Sequence, residues 1–310
     1  MSLHFNHLYL CRSAKRNMAG LSLLAFVLST AAAGAEDVSI AFVHHERSLQ
    51  PGEIVLVEAN SSKPLSQLRI EAFDRQFPAF TDKGRIQWAA LLGIDLETKS
   101  GEYTVLLSGT DLNGKRVTAQ EVLVVTAKRF PTRKLTVDPK YVEPPEHALI
   151  RIKEERRKVN DIFSSVTPER LWEGPFHLPV PGQVISAFGK RNVYNGKPRS
   201  PHTGTDFRGA EGTPIKAPNS GKVVLAANLY YSGNTLILDH GLGLYSYFGH
   251  MSAFSVKEGD YVKTGDLIGK VGATGNVTGP HLHWTVRLVD SRVDPLSLVT
   301  VLSEAGTQID

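Results

Sequence analysis

Cysteine is nearly absent: Cys11 is the only one in 310 residues, and it sits inside an N-terminal leader. The rest of the chain therefore has no disulfide framework, no thiol nucleophile and no thiolate to offer a metal. Long apolar runs are equally scarce. The stretch from Ala19 to Ala35 is diluted with small residues and falls short of the ~20 apolar residues a membrane span needs. Arg12, Lys15 and Arg16 precede the run Leu21–Val27, and Ala33-Gly34-Ala35 offers an A-x-A cleavage site before Glu36. Residues 1–35 thus read as a signal peptide, with export to the periplasm or cell envelope expected. A retained N-terminal membrane anchor is the alternative, and Met18 is a second candidate start, though it would discard the basic residues. Excess charge is the third thing missing. The formal charge of +4 falls to +1 without the leader, 32 basic against 31 acidic residues, so basicity gives no argument for nucleic acid. About 275 mature residues suggest two domains.

Residues 37–127 read as short strands between turns. Ile54–Val57, Leu68–Phe73, Tyr103–Leu107 and Val122–Val125 are β-rich, and Asn113-Gly114 is a hairpin signal. The spacing predicts a mainly β fold beginning with an immunoglobulin-like β-sandwich. His44-His45 are adjacent, so on a strand they face opposite ways, and they read as surface residues. Residues 128–175 read as a linker with a helix. Its first part, Lys128–Pro145, is basic and carries proline. Leu149, Ile152, Val159, Ile162 and Phe163 then recur near helical spacing, with Glu154–Lys158 on the wet side. Thr167-Pro168 has the pattern of an N-cap before a second, short helix. Residues 176–302 read as a second β-domain punctuated by glycine.

Chemistry concentrates in that second domain. His202-Thr203-Gly204-Thr205-Asp206 and His281-Leu282-His283 together offer three imidazoles and a carboxylate, ligand types that zinc prefers. On a strand, residues i and i+2 face one way, so His281 and His283 enter one site. His250, in Gly249-His250-Met251, is a further candidate. His240, in a turn-like Asp239-His240-Gly241, reads as structural.

The stretch from about Pro181 to Leu298 resembles the lysostaphin-type zinc metallopeptidases, a family of peptidoglycan endopeptidases. The matching segments include Ser200–Asp206, Gly212–Pro218, Gly221–Val224, Phe248–Ser252, Val256–Val262 and Gly272–Gly275 through Gly279–Trp284. The resemblance implies a C-terminal lysostaphin-type β-sheet peptidase domain that binds one zinc through His202, Asp206 and His283. It further implies that His250 and His281 are the catalytic pair. Peptidoglycan is then the expected partner, and a stem joined through D-alanine and diaminopimelate is favoured over a glycine bridge.

All five residues are present, which disfavours the alternative of a non-catalytic peptidoglycan-binding activator of cell-wall amidases. A D-Ala-D-Ala carboxypeptidase of the HxxxxxxD and ExxH type is excluded because HxH stands where ExxH would be required. Residues 256–269 also resemble biotinyl and lipoyl carriers, but the lysine hairpin with flanking methionines is missing. Tyr194, Asn195 and Arg199 are candidates for lining the substrate groove. The N-terminal half shows no catalytic constellation and is expected to position the enzyme, restrict its groove or dock cell-envelope proteins. On that view a fragment starting near Leu171 should fold and hold metal unaided.

Overall fold

Alternation of buried and exposed residues governs the N-terminal part of the computed structural model, which describes residues 37–81, 83–136 and 144–304. The expected signal peptide and Cys11 lie outside the described residues. Eight strands come first: β1 (Ile40–Glu46), β2 (Ile54–Ser61), β3 (Leu65–Ala72), β4 (Arg75–Pro78), β5 (Phe80–Thr81), β6 (Gln87–Gly93), β7 (Gly101–Asp111) and β8 (Arg116–Val125). They form two four-stranded sheets ordered β1-β2-β6-β5 and β4-β3-β7-β8. That is the immunoglobulin order, with β4 as an added edge strand. In β3, Leu68, Ile70 and Ala72 are buried while Arg69 and Glu71 face solvent. Between β7 and β8, Asp111 Oδ1 accepts the amides of Asn113 and Lys115, both at 2.8 Å, and Gly114 supplies φ +85°. The hairpin signal in the sequence is this turn.

Strands β2 and β6 depart from alternation. Ile54, Val55, Leu56 and Val57 are all at most 1% exposed, which requires cover on both faces of their sheet. The second cover is the C-terminal domain. Its last elements, β20 (His281–Leu288), β21 (Ser291–Val293) and helix α2 (Pro295–Glu304), pack on the outer face of β2 and β6. Ile54 N–H donates to Ser297 Oγ at 2.9 Å. Gly93 has no room for a side chain, since a Cβ would stand 2.8 Å from Ser291 Cβ. Ion pairs rim this contact: Arg47 with Glu53 (2.9 Å) and Asp294 (2.7 Å), Lys128 with Glu53 (2.6 Å), and Arg292 with Asp95 (2.6 Å).

The segment read as a linker is more structured than its composition suggests. Thr132–Leu135 is strand β9, which pairs in parallel with β11 (Arg191–Tyr194), itself paired with β12 (Lys197–Pro198). Residues 137–143 lie outside the described ones. Helix α1 spans Glu146–Ser164, and its contacts revise the expected faces. Leu149 is 49% exposed, whereas Glu155, placed on the wet side, accepts the Tyr230 amide at 2.8 Å. Phe163 is buried with Leu225, Leu229, Ile237 and Tyr245, a satellite core that α1 closes. The expected second helix at Thr167-Pro168 is not formed. Thr167 instead hydrogen-bonds Asp239 through Oγ1 and the Leu242 amide through its carbonyl, and Leu171 N–H donates to His240 O. These tethers hold the segment extended along the C-terminal sheet. They also count against a cut at Leu171, because that cut removes α1 and uncovers the satellite core.

The remaining strands are β10 (Val184–Ser186), β13 (Thr205–Arg208), β14 (Pro214–Lys216), β15 (Gly221–Leu229), β16 (Gly233–Gly241), β17 (Leu244–Phe254), β18 (Tyr261–Val262) and β19 (Leu267–Val271). With β20 and β21 they make one ten-stranded sheet, whose main path is β10-β13-β20-β17-β16-β15-β18.

The Asp95–Arg292 pair offers a test of the domain contact. Burial raises the Asp95 pKa, but hydrogen bonds from Arg292 and the Glu97 amide outweigh it and hold the group at about 2. A carboxylate depressed in the fold stabilises it above its unfolded pKa, and that contribution disappears as pH falls toward the folded value. Asp95→Asn should therefore lower stability at pH 7 by on the order of 1–3 kcal/mol. The penalty should shrink between about pH 4 and pH 2. Urea unfolding of both proteins across that range checks it, and an equal gap at every pH would refute the assignment.

Candidate active site

Three adjacent strands bring the motif residues together. In the antiparallel register Asp206 of β13 stands opposite His283 of β20, and His283 stands opposite Gly249 of β17. Along β20, Leu282, Trp284, Val286 and Leu288 are buried in the core, so His281, His283, Thr285 and Arg287 share the other face. His250 follows Gly249 with φ +63°, a left-handed conformation costly for a non-glycine residue. The Ser232 carbonyl, accepting the His250 amide at 2.7 Å, holds it there. Such strain persists where surrounding structure over-determines it, commonly at functional sites.

His202, Asp206 and His283 can hold a metal ion: one ligand atom from each lies within 4.8 Å of the others. His202 Nε2 is 3.0 Å from Asp206 Oδ1 and 3.1 Å from His283 Nδ1, which is itself 2.8 Å from the same carboxylate oxygen. The outer nitrogens explain why this cluster suits a cation. A carbonyl oxygen only accepts, so His202 Nδ1, 3.0 Å from Ala187 O, carries the proton and leaves Nε2 with a lone pair. His283 Nε2 meets Thr285 Oγ1 at 2.9 Å, which lets Nδ1 act in the same way. Three acceptors then converge on one point, an arrangement that calls for a positive charge between them.

His250 and His281 stand beside this cluster, their ring centroids 4.9 Å apart. His250 Nδ1–H donates to Thr274 O at 3.0 Å, and His281 Nδ1–H donates to Gly279 O at 2.9 Å. Each is therefore fixed as a tautomer whose Nε2 is free to accept a proton. His281 Nε2 is 3.9 Å from Asp206 Oδ1.

Electrostatics separate the group. Burial opposes charge on His202, but the hydrogen bond and negative charge of Asp206 win and raise its pKa. Burial likewise pushes Asp206 up, but in the absence of a cation the bonds that protonated His202 and His283 donate to it hold it well below the usual carboxylate range. Burial lowers His283 and takes His250 down to about 4, so His250 is neutral at pH 7.

These residues line a groove of about 620 Å³. Of the three residues expected to line it, Tyr194 does. Asn195 and Arg199 are not on its wall, and Arg199 stacks on the Tyr194 ring at 5.7 Å. Sequence reasoning missed several contributors, among them four on β20 and α1. Thr285 and Arg287 were signalled by their i+2 and i+4 spacing from His283. Val159 and Phe163 of α1 also line the groove, and no motif points to them. His240 is away from the site, fully buried, with Nδ1 bonded to Ser220 O and Nε2 to Ser246 Oγ. His44, read as a surface residue, is half-buried between Glu46 and Glu121.

Residues 200–295 match the model of peptidase family M23. Lysostaphin of Staphylococcus staphylolyticus is 46% identical over 92 residues, 29% of this chain and 19% of that protein. Peptidoglycan DD-endopeptidase ShyA of Vibrio cholerae is 40% identical over 103 residues, 33% of this chain and 24% of that protein. The chain thus aligns with about a quarter or less of the length of these curated relatives. A Pseudomonas aeruginosa crystal structure assigned to peptidase M23 is similar over far more: 31% identity, TM-score 0.64, 83% of this chain and 96% of that one. The fold and the site define a β-sheet domain with a metal-competent cluster in its groove. This chain belongs to peptidase family M23.

The buried His240 makes a prediction that sets it apart from the motif histidines. Burial lowers its pKa to about 4, against the pull of the Ser220 carbonyl. Between that value and about 6.5 the unfolded chain binds a proton that the folded one does not, so stability should fall as pH drops through the window. His240→Gln should flatten part of this dependence, read from urea midpoints at pH 7 and pH 5. An unchanged slope would show that His240 is not the buried neutral group described here.

Proposed function

We propose that this protein is a zinc-dependent endopeptidase that cuts peptide bonds in peptidoglycan stems or crosslinks. The observation that carries this reading is the convergence of three acceptor atoms, from His202, Asp206 and His283, beside two imidazoles whose Nε2 atoms are free. Membership of family M23 and the likeness to ShyA support the substrate class. Zinc bound by these ligands would supply Lewis acidity, polarising the scissile carbonyl and acidifying water at neutral pH.

The rest is done by side chains. His250, neutral at pH 7, accepts a proton at Nε2, and the Ser232 and Thr274 carbonyls that hold its amide and Nδ1–H fix the ring at the groove. His281 Nε2 holds or returns a proton at the oxyanion or the departing amine. The carbonyls of Thr274 and Gly279 fix both tautomers throughout. The site is then exported by the leader at residues 1–35 and works in the periplasm or cell envelope.

Elemental analysis should find about one zinc per chain, removed by His202→Ala, Asp206→Ala or His283→Ala. Thr285→Val should weaken zinc affinity by about 10–100-fold, since it deprives His283 of its orienting hydroxyl. Full zinc in His283→Ala would overturn the ligand set. His250→Ala and His281→Ala should keep the metal and lose hydrolysis by on the order of 10²–10⁴-fold. Incubation with purified peptidoglycan and mass analysis of the released muropeptides reads the bond cut. Binding to the polymer without new products would replace the proposal with a non-catalytic wall-binding role.

A further inference from the structure

Arg287 extends the row of groove-facing residues on β20 beyond His281, His283 and Thr285. At about 3.3 Å per residue its Cα lies about 13 Å along the strand from that of His283. Its side chain is only 14% exposed; it ion-pairs with Asp290 at 2.5 Å, itself 58% exposed, and feels Asp95 only at longer range, with Arg292 opposing it. Nε is buried without an acceptor. Phe163 of α1 covers one face of the guanidinium, with Arg287 Cζ 5.0 Å from the ring centroid. A buried cation needs more compensation than one solvated carboxylate gives, and burial accordingly lowers the Arg287 pKa.

We infer that Arg287 is a specificity-determining residue that receives a free carboxylate of the substrate, about 13 Å of extended chain from the bond cut. The planar fork suits that group, and Phe163 prevents the guanidinium from turning away. The inference rests on the peptidase reading and narrows its substrate to an anionic stem peptide. An uncharged glycine bridge has nothing to place there.

The small sheet behind a second wall of the groove carries the same charge. Arg133, Lys134, Lys190, Arg191, Lys197 and Arg199 lie on or beside β9, β11 and β12, the sheet that contributes Asn192 and Tyr194 to the groove. No Asp or Glu occurs in residues 128–136 or 188–202. A surface of one sign beside the groove raises the local concentration of an oppositely charged substrate.

The test compares two substrates on the full chain: a crosslinked pair of stem peptides with free carboxylates, and the same pair with those carboxylates amidated. The unaltered protein should cut the free form with about 10–100-fold higher kcat/KM, the range of one charged hydrogen bond, mostly through KM. Arg287→Gln should bring the kcat/KM values for the two substrates to within about twofold of each other, whatever its overall rate, and Arg287→Lys should recover part of the preference. Equal rates on the two substrates with the unaltered protein would overturn the role of Arg287 without any variant needing to fold. Equal preference in the unaltered protein and Arg287→Gln would also overturn it. No cleavage of either substrate would instead overturn the peptidase reading.

Discussion

The pairing of β13, β20 and β17 is the constraint on which the rest of the site depends. Antiparallel register sets Asp206, His283 and Gly249 in one row across the sheet, so one carboxylate and one imidazole meet without any loop having to place them. A slip of one residue would exchange His281 and His283 for Leu282 and Trp284 at the groove. The opposite face prevents that slip. Trp284 is fully buried beside Phe207, and its exposure would sacrifice several kcal/mol of apolar burial. The core residues of β20 therefore enforce the geometry of the polar ones.

Fixed strands alone do not fix proton positions. That is the task of three backbone carbonyls, Ala187, Thr274 and Gly279, each paired with the Nδ1 of a different histidine. Backbone groups make good anchors because their positions are tied to the fold, and a carbonyl can only accept. All three anchors lie in loops between strands, and glycines stand close to the two between β19 and β20. Gly233 and Gly275 both have positive φ and approach one another so closely that a Cβ on Gly233 would lie 2.3 Å from Thr274. Thr274 is the residue whose carbonyl holds His250. The glycine in Gly272-Ala273-Thr274-Gly275 thus serves proton placement one step removed.

Much of this was legible in the residue pattern because strands encode facing directly. HxH on a strand gives two imidazoles on one side, and the motif order gave the five histidine and aspartate positions that the fold gathers. The hairpin at Asn113-Gly114 and the mainly β architecture followed from equally local signals. Contacts between distant segments were not legible. Leu149 and Glu155 took the wrong faces of α1 because the periodicity of an isolated helix does not say what packs on it. Thr167-Pro168 carries a helix-start pattern, but hydrogen bonds to residues more than seventy positions away won. The continuous burial of Ile54–Val57 was written in the sequence as an unbroken apolar run, yet the run does not name the helix that covers it.

The N-terminal half is accordingly joined to the site in three places rather than strung before it. Strand β9 pairs with β11, whose Asn192 and Tyr194 form one wall. Helix α1 supplies Val159 and Phe163 to another. The sandwich packs on α2, β20 and β21, and β20 carries the histidines themselves. Arg292 on β21 is gripped by Asp95 of the sandwich while Arg287 on β20 pairs with Asp290 in the turn that follows. A load on the sandwich therefore bears on the strand that holds the chemistry. The family match covers residues 200–295, but two walls of the groove draw on residues before it. In the proposed peptidase the groove is thus shaped jointly by Arg287 inside that match and by segments outside it, which is where members that share one catalytic arrangement can differ in what they accept.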